Sequence, residues 1–219
     1  FVGGPPLVKY NFGQEISKED LGGYKVHAHL SGVVDNVAKN ERDAIEQIKR
    51  FLSYLPSNVW EMPMRQNTKD QFDRREEELS SIIPRDYRKT YDIRRILSLV
   101  FDQGSIFEIA KGQARSQVTA LALLNGYPVG VLANDPRSLG GSFNYAVAEK
   151  FQRFIDMCDT FHLPIVNLVD QPGFSIGLKN EQNGTIRKGV RASFAIAQAT
   201  VPMAVIYIRK AFGVAGAAQ

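Results

Sequence analysis

Apolar positions along the chain follow two different rhythms, and the change from one to the other sets out the elements. Ile45, Ile48, Leu52 and Leu55 recur at steps of three and four, the spacing of one helical face. Asn40 offers a capping oxygen in front of them. Glu41 and Asp43 fall in the first turn, Lys49 and Arg50 come late, and Pro56 stops the run. A helical turn over Ser17 to Leu21, ended by Gly22-Gly23, precedes it. Between the two, Tyr24 to Leu30 reads as a short strand that carries His27 and His29.

A second stripe, Ile93, Ile96, Leu97, Val100 and Phe101, predicts a helix closed by Gly104. The rhythm then shortens. Phe107 to Ala110, Val118 to Leu124 and Pro128 to Ala133 read as strands, the last two joined at Asn125-Gly126. Val147, Phe151, Phe154, Ile155 and Cys158 return to helical spacing and place the Cys158 thiol on a buried stripe. Ile165 to Val169 and Met203 to Ile208 are apolar runs of strand length separated by a helix from about Ile186 to Ala199. Such runs predict parallel strands buried on both faces, a β-α-β arrangement whose ligands sit at loops leaving the strands' carboxyl ends. Those loops are Asp170-Gln171-Pro172-Gly173-Phe174 and Arg209 through Gly216.

Charge locates a boundary. Residues 61 to 95 hold 9 basic and 8 acidic side chains with few apolar anchors, and read as a partly helical linker. Over the whole chain 27 Lys and Arg stand against 23 Asp and Glu, too small and scattered a surplus for a nucleic-acid surface, although its C-terminal bias suits an anionic small ligand. One cysteine excludes a disulfide framework and makes a reducing compartment the expectation. The longest uncharged run, Ser116 to Asn134, is broken by Asn125-Gly126 and Pro128, so no membrane span and no membrane partner are expected.

The usual catalytic signatures are absent from the sequence: no G-x-S-x-G, P-loop, G-x-G-x-x-G, H-E-x-x-H or C-x-x-C, and no metal site is expected. What remains is glycine where a strand runs into a helix. Gly213-Val214-Ala215-Gly216 is small enough for a ligand carbonyl to approach main-chain N–H groups, and equally for a helix to pack tightly.

Taken in order, Gly4-Pro5-Pro6-Leu7-Val8-Lys9, Glu19-Asp20-Leu21-Gly22-Gly23, Ser31-Gly32-Val33 and Leu52-Ser53-Tyr54-Leu55-Pro56 form a recognisable series. It continues through Gly126-x-Pro128-Val129-Gly130, Arg153-Phe154-Ile155-x-x-Cys158-Asp159, Asp170-x-Pro172-Gly173-Phe174, Ala199-Thr200-Val201-Pro202 and Arg209-Lys210-Ala211. The series resembles the carboxyltransferase (β) subunits of biotin-dependent acyl-CoA carboxylases. The resemblance implies an α/β, crotonase-like (ClpP/crotonase) β-α superhelix made of parts of two tandem domains. Residues 1–60 would be the C-terminal part of the acyl-CoA-side domain, 61–90 a charged linker, and 91–219 an incomplete biotin-side domain, all within a longer subunit.

The same resemblance implies transfer of a carboxyl group from carboxybiotin to the α-carbon of an acyl-CoA. Biotin would arrive on a separate carrier domain, because the chain lacks a Met-Lys-Met site. The Gly213, Val214 and Ala215 stretch would form a backbone oxyanion hole. Gly173, Phe174, Gly177 and Phe212 would line the biotin side, and Ala217 the acyl pocket. A biotin carboxylase or biotin carrier subunit is the implied partner, with a homo-oligomer whose site lies at the dimer interface, in the cytoplasm or in a mitochondrial matrix or other organelle. A decarboxylase or transcarboxylase subunit uses the same site in another direction. A non-catalytic assembly subunit is the reading from another class, suggested by Val214 where the family usually has glycine.

Overall fold

The computed structural model describes residues 1–217. Five strands form one mixed sheet in sequence order: β1 (Phe107–Ile109), β2 (Gln117–Leu124), β3 (Tyr127–Asn134), β4 (Ile165–Gln171) and β5 (Met203–Ala211). The β1–β2 and β2–β3 pairs are antiparallel, while β3–β4 and β4–β5 are parallel. The helices are α1 (Pro5–Phe12), α2 (Lys18–Gly22), α3 (Tyr24–Val26), α4 (Glu41–Leu52), α5 (Ile93–Val100), α6 (Tyr145–Thr160), α7 (Leu178–Gln182), α8 (Thr185–Gln198) and α9 (Gly213–Ala217).

Strand alternation sorts the core into two layers. Leu121, Leu132 and Ile165 face Phe151, Ile155, Ala192 and Ala195 of α6 and α8. On the other side Val118, Ala120, Val131, Ala133, Val166 and Leu168 meet Ile93, Ile96, Leu97 and Phe101 around α5. The spacing of the two helical stripes therefore produces a sheet covered on both faces. Caps agree with the sequence: Asn40 accepts from Asp43 N–H, Asn144 from Ala146 and Val147 N–H, and Asp92 from Arg94 N–H. The hairpin turns at Asn125-Gly126, both in left-handed backbone as a type I′ turn requires, and its amides are held by the buried Asp102 carboxylate. Cys158 lies wholly inside the helix-sheet layer, where burial pushes its thiol pKa well above the ordinary value.

Three expectations are corrected. Tyr24 to Leu30 is no strand: α3 runs into a π-helical turn, His27–Ser31, with Ala28 as its buried residue. The alternation Tyr24, Val26, Ala28, Leu30 had no partner strand to pair with, and Gly23 starts a helix instead. The α5 helix closes at Phe101 rather than at Gly104, which sits beyond it in left-handed backbone. The β5 strand is apolar but is not buried on both faces. Among the described residues it is the last strand of the sheet, and Ile206 and Tyr207 stand exposed along it.

The charged segment after residue 60 lies along the sheet domain. Gln66 N–H donates to Gly126 O at 2.8 Å, Arg65 grips Asn125, and Arg74 donates to Leu99 O and Phe101 O at 3.1 and 2.8 Å. Its arginines therefore fill backbone acceptors at the end of α5 and at the hairpin, which explains a high charge density without a core of its own.

Candidate functional site at the carboxyl ends of β4 and β5

Two loops leave the carboxyl ends of the parallel strands β4 and β5, and the structure brings them together. Phe212 N–H donates to Gln171 O at 3.1 Å, joining the start of one loop to the start of the other. Gly173 has φ +112°, and a Cβ there would lie 3.3 Å from Phe212 O. A side chain at 173 is thus strained by the backbone and pressed against the facing loop. The 172–175 loop is hooked in turn to Phe143, which donates to Gly173 O at 3.0 Å and accepts from Ser175 N–H at 2.8 Å. The Phe174 ring meets Phe143 edge-on, 5.6 Å between centroids, and shares a small apolar recess with Gly189 and Ala215.

Beyond Phe212 the chain turns through Gly213, at φ +65°, into the single turn of α9. The N–H groups of Gly213, Val214 and Ala215 belong to that first turn, where an α-helix offers no internal acceptors; the first recorded return bond is Gly216 N–H to Phe212 O at 3.3 Å. Val214 is 75% exposed and Phe212 is exposed beside it, while Ala215 is buried against the α6–α8 layer. The loop is therefore anchored at one residue and open at its neighbours. Gly177, at φ +108°, caps α7 on the surface, and its carbonyl accepts from Asn180 and Glu181 N–H. Ala217 ends α9, and its side chain lies outside the described residues.

Beneath both loops lies a charged cluster built on Asp170, Arg209 and Lys210 of the motif series, joined by Tyr91. Asp170 is completely buried. Its carboxylate accepts Tyr91 Oη–H at 2.8 Å and Lys210 N–H at 3.1 Å, and pairs with Arg209 Nη2 at 3.1 Å. The Arg209 guanidinium lies over the Tyr91 ring at 5.1 Å and donates to Lys89 O. Burial, with Asp170 second, pushes the Tyr91 hydroxyl far above its ordinary pKa, so it stays a donor. Arg209 is enclosed and committed to Asp170, so its part is to hold β5 against β4. A second buried cation, Lys150, donates to the carbonyls of Ala110, Gln113 and Gln117 at 2.7 to 3.0 Å, and burial pulls its pKa down to about 8.

The arrangement supplies main-chain donors and, among the described residues, no group of three His, Cys, Asp or Glu able to hold a metal. No described helix is long and apolar enough to cross a membrane. Substituting Gly173 by alanine is expected to lower turnover on the order of 10- to 100-fold by displacing the Phe212 loop. Steady-state kinetics of the full-length protein, with circular dichroism to confirm folding, measures this.

Comparison with known proteins places this geometry. The pattern of the carboxyl transferase domain matches residues 1–218. The chain is 40% identical over 213 residues to the propionyl-CoA carboxylase carboxyltransferase subunit of Haloferax mediterranei, covering 97% of this chain and 41% of that protein. It is 37% identical over 214 residues to the methylmalonyl-CoA carboxyltransferase 12S subunit of Propionibacterium freudenreichii subsp. shermanii, covering 40% of it. Among solved structures, a transcarboxylase 12S hexamer with methylmalonyl-coenzyme A bound superposes with a TM-score of 0.96 at 35% identity, over 100% of this chain and 42% of that one. The chain thus spans about two fifths of the length of the relatives it matches. The expected crotonase-like α/β architecture holds, and the chain belongs to the carboxyl transferase domain family.

Proposed function

We propose that this chain is the biotin-side portion, with the end of the acyl-CoA-side portion, of a carboxyltransferase that moves a carboxyl group between carboxybiotin and the α-carbon of an acyl-CoA. The observation that carries the reading is the contact of the Gly173 turn with Phe212, which stands directly before the exposed Gly213 and Val214 and the buried Ala215, whose amides have no hydrogen-bond acceptor among the described residues. A ureido group suits such a place, since its oxygen accepts two N–H bonds and needs no side-chain base. Bound there, carboxybiotin supplies the carboxyl group. The chain's own part is to hold the ring between Phe212 and the 173–174 turn and to stabilise negative charge on the ureido oxygen with the Val214 and Ala215 amides. These donors act only as charge develops, which is where binding accelerates a reaction.

On this reading residues 1–60, 61–90 and 91–219 are the end of one domain, a linker and most of a second. Gly177 borders the biotin loop and Ala217 the acyl pocket. The biotin carrier and biotin carboxylase belong to other polypeptides or other parts of the assembly, a homo-oligomer completes the site, and the compartment is cytoplasm or matrix. The subunit names of the relatives favour propionyl-CoA and methylmalonyl-CoA as the thioester pair. The test is avidin-sensitive carboxyl transfer by the full-length protein, from methylmalonyl-CoA to free biotin and in the forward direction over an acyl-CoA panel. Transfer with a propionyl preference supports the reading. An intact oligomer that carboxylates no thioester favours the assembly-subunit reading to which Val214 points.

A further inference from the structure

A line of buried polar side chains crosses the sheet behind the two loops, and none of its members reaches the surface recess. Asn134 is the last residue of β3 and is 1% exposed. Main-chain pairing of β3 with β4 extends as far as Ala133 and Leu168. Just beyond it, Asn134 Oδ1 accepts Asp170 N–H at 3.1 Å, so a side-chain amide continues the ladder where the strands part. Its Nδ2 donates to Gln117 Oε1 at 3.1 Å, and Gln117 O accepts from Lys150 Nζ at 2.7 Å.

Both ends of this relay are fixed. On one side Lys150 holds three carbonyls of the 110–117 connection. That connection also carries Gly112, on whose backbone the His29 ring rests. On the other side Asp170 takes Lys210 N–H, and its neighbour Gln171 takes Phe212 N–H. Each bond is ordinary, but the group they reference is the exit of β4, from which the Gly173 turn departs. A buried amide satisfied at both ends has one geometry, and its loss leaves the Asp170 N–H unpaired inside the protein.

We infer that Asn134 is a positioning residue for carboxyl transfer: through the Asp170 amide it sets the exits of β4 and β5, and so the distance between the Gly173 turn and the Val214 and Ala215 amides. This rests on the carboxyl-transfer reading above. Asn134 itself is enclosed and touches no substrate, so its effect belongs in turnover on the biotin side and not in thioester binding.

The experiment uses the full-length protein in its assembled form and reads hydrogen exchange and kinetics together. Asn134→Leu, close in size and without polar atoms, is expected to raise amide exchange at least about tenfold in segments 168–177 and 207–216 while α6 stays as in the parent. With methylmalonyl-CoA and free biotin, kcat is expected to fall at least about 20-fold while KM for the thioester moves less than about twofold. Asn134→Asp keeps an acceptor for Asp170 N–H, and the Gln117 amide can turn to donate to it by giving up its bond to Val118 O, so this variant should recover to within about fivefold of the parent. Gln117→Leu removes the link to Asn134 together with the Gln117 Nε2–H bond to Val118 O, but leaves Asn134 on the Asp170 amide; it should fall between the two, and it carries the test if Asn134→Leu does not assemble. Exchange and kcat of Asn134→Leu within about twofold of the parent overturn the inference. So does equal impairment of Asn134→Leu and Asn134→Asp, or exchange that rises in α6 as well, which marks a general loss of fold. A parent without avidin-sensitive transfer overturns the carboxyl-transfer reading alone, and the exchange measurement still decides whether Asn134 sets the loops.

Discussion

Asp170→Ala is expected to be the most destabilising single substitution in the chain. The carboxylate is completely buried, and its removal strands three groups at once: the Arg209 guanidinium, the Tyr91 hydroxyl and the Lys210 amide. Breaking a buried ion pair by deleting one partner costs about 3 to 5 kcal/mol, because the surviving charge keeps its desolvation penalty and loses its compensation. Asp170→Asn keeps one of the two acceptor oxygens, which can still take Lys210 N–H, while its Nδ2 faces the Tyr91 hydroxyl and the Arg209 guanidinium, so a smaller loss than for Asp170→Ala is expected, owed to the retained volume and the one retained bond. Arg209→Met added to Asp170→Ala should cost less than the sum of the single changes, since the stranded cation is then gone. Urea denaturation of the full-length variants, followed by exchange in the 203–211 segment, measures the order Asp170→Ala, double variant, Asp170→Asn. If Asp170→Ala were no less stable than Asp170→Asn, the cluster would not be what joins β4 to β5.

Much of this frame is legible in the sequence wherever periodicity and local chemistry agree. The α4 helix was readable because stripe, cap and dipole charges pointed the same way, α6 from its long apolar stripe alone, and the β2–β3 hairpin because Asn125-Gly126 fits one turn type. Tyr24 to Leu30 misled because alternation over seven residues fits a helical turn as well as a strand, and the choice depends on a partner strand that local sequence does not name. The partial exposure of β5 was hidden for a related reason: its residues are as apolar as those of β4, and only the sheet order among the described residues separates them. At the site, Gly173, Phe174, Phe212 and Ala215 do come together, whereas the groups that hold them were not found from sequence. Asp170, Asn134, Gln117 and Lys150 lie 16 to 53 residues apart, so nothing in their spacing announces a common network. Asn167 and Gln171 add to the difficulty, since both are fully buried polar residues whose side-chain amides have no recorded partner.

Val214→Pro should abolish most carboxyl transfer while leaving the fold in place. The residue stands in the first turn of α9, where proline is tolerated because the N–H it lacks has no helical acceptor and its fixed φ suits the helix. The valine side chain is largely exposed, so the ring replaces atoms that pack on little. What disappears is one main-chain donor at the edge facing the Gly173 turn. Loss of a single oxyanion donor costs about 2.7 to 4 kcal/mol, a fall on the order of 10²- to 10³-fold in kcat. Val214→Ala keeps the N–H and trims the exposed branch, and is expected to lose less than about threefold. A serine at 215 is a poorer control, because the Ala215 methyl is packed in the α6–α8 layer and a hydroxyl there would need a buried partner. The comparison is made on full-length protein, with thermal melting and light scattering showing equal folding and assembly. A folded Val214→Pro enzyme with near-parental turnover would move the oxyanion role off this loop, and equal losses in the proline and alanine variants would assign the effect to the side chain instead of the amide.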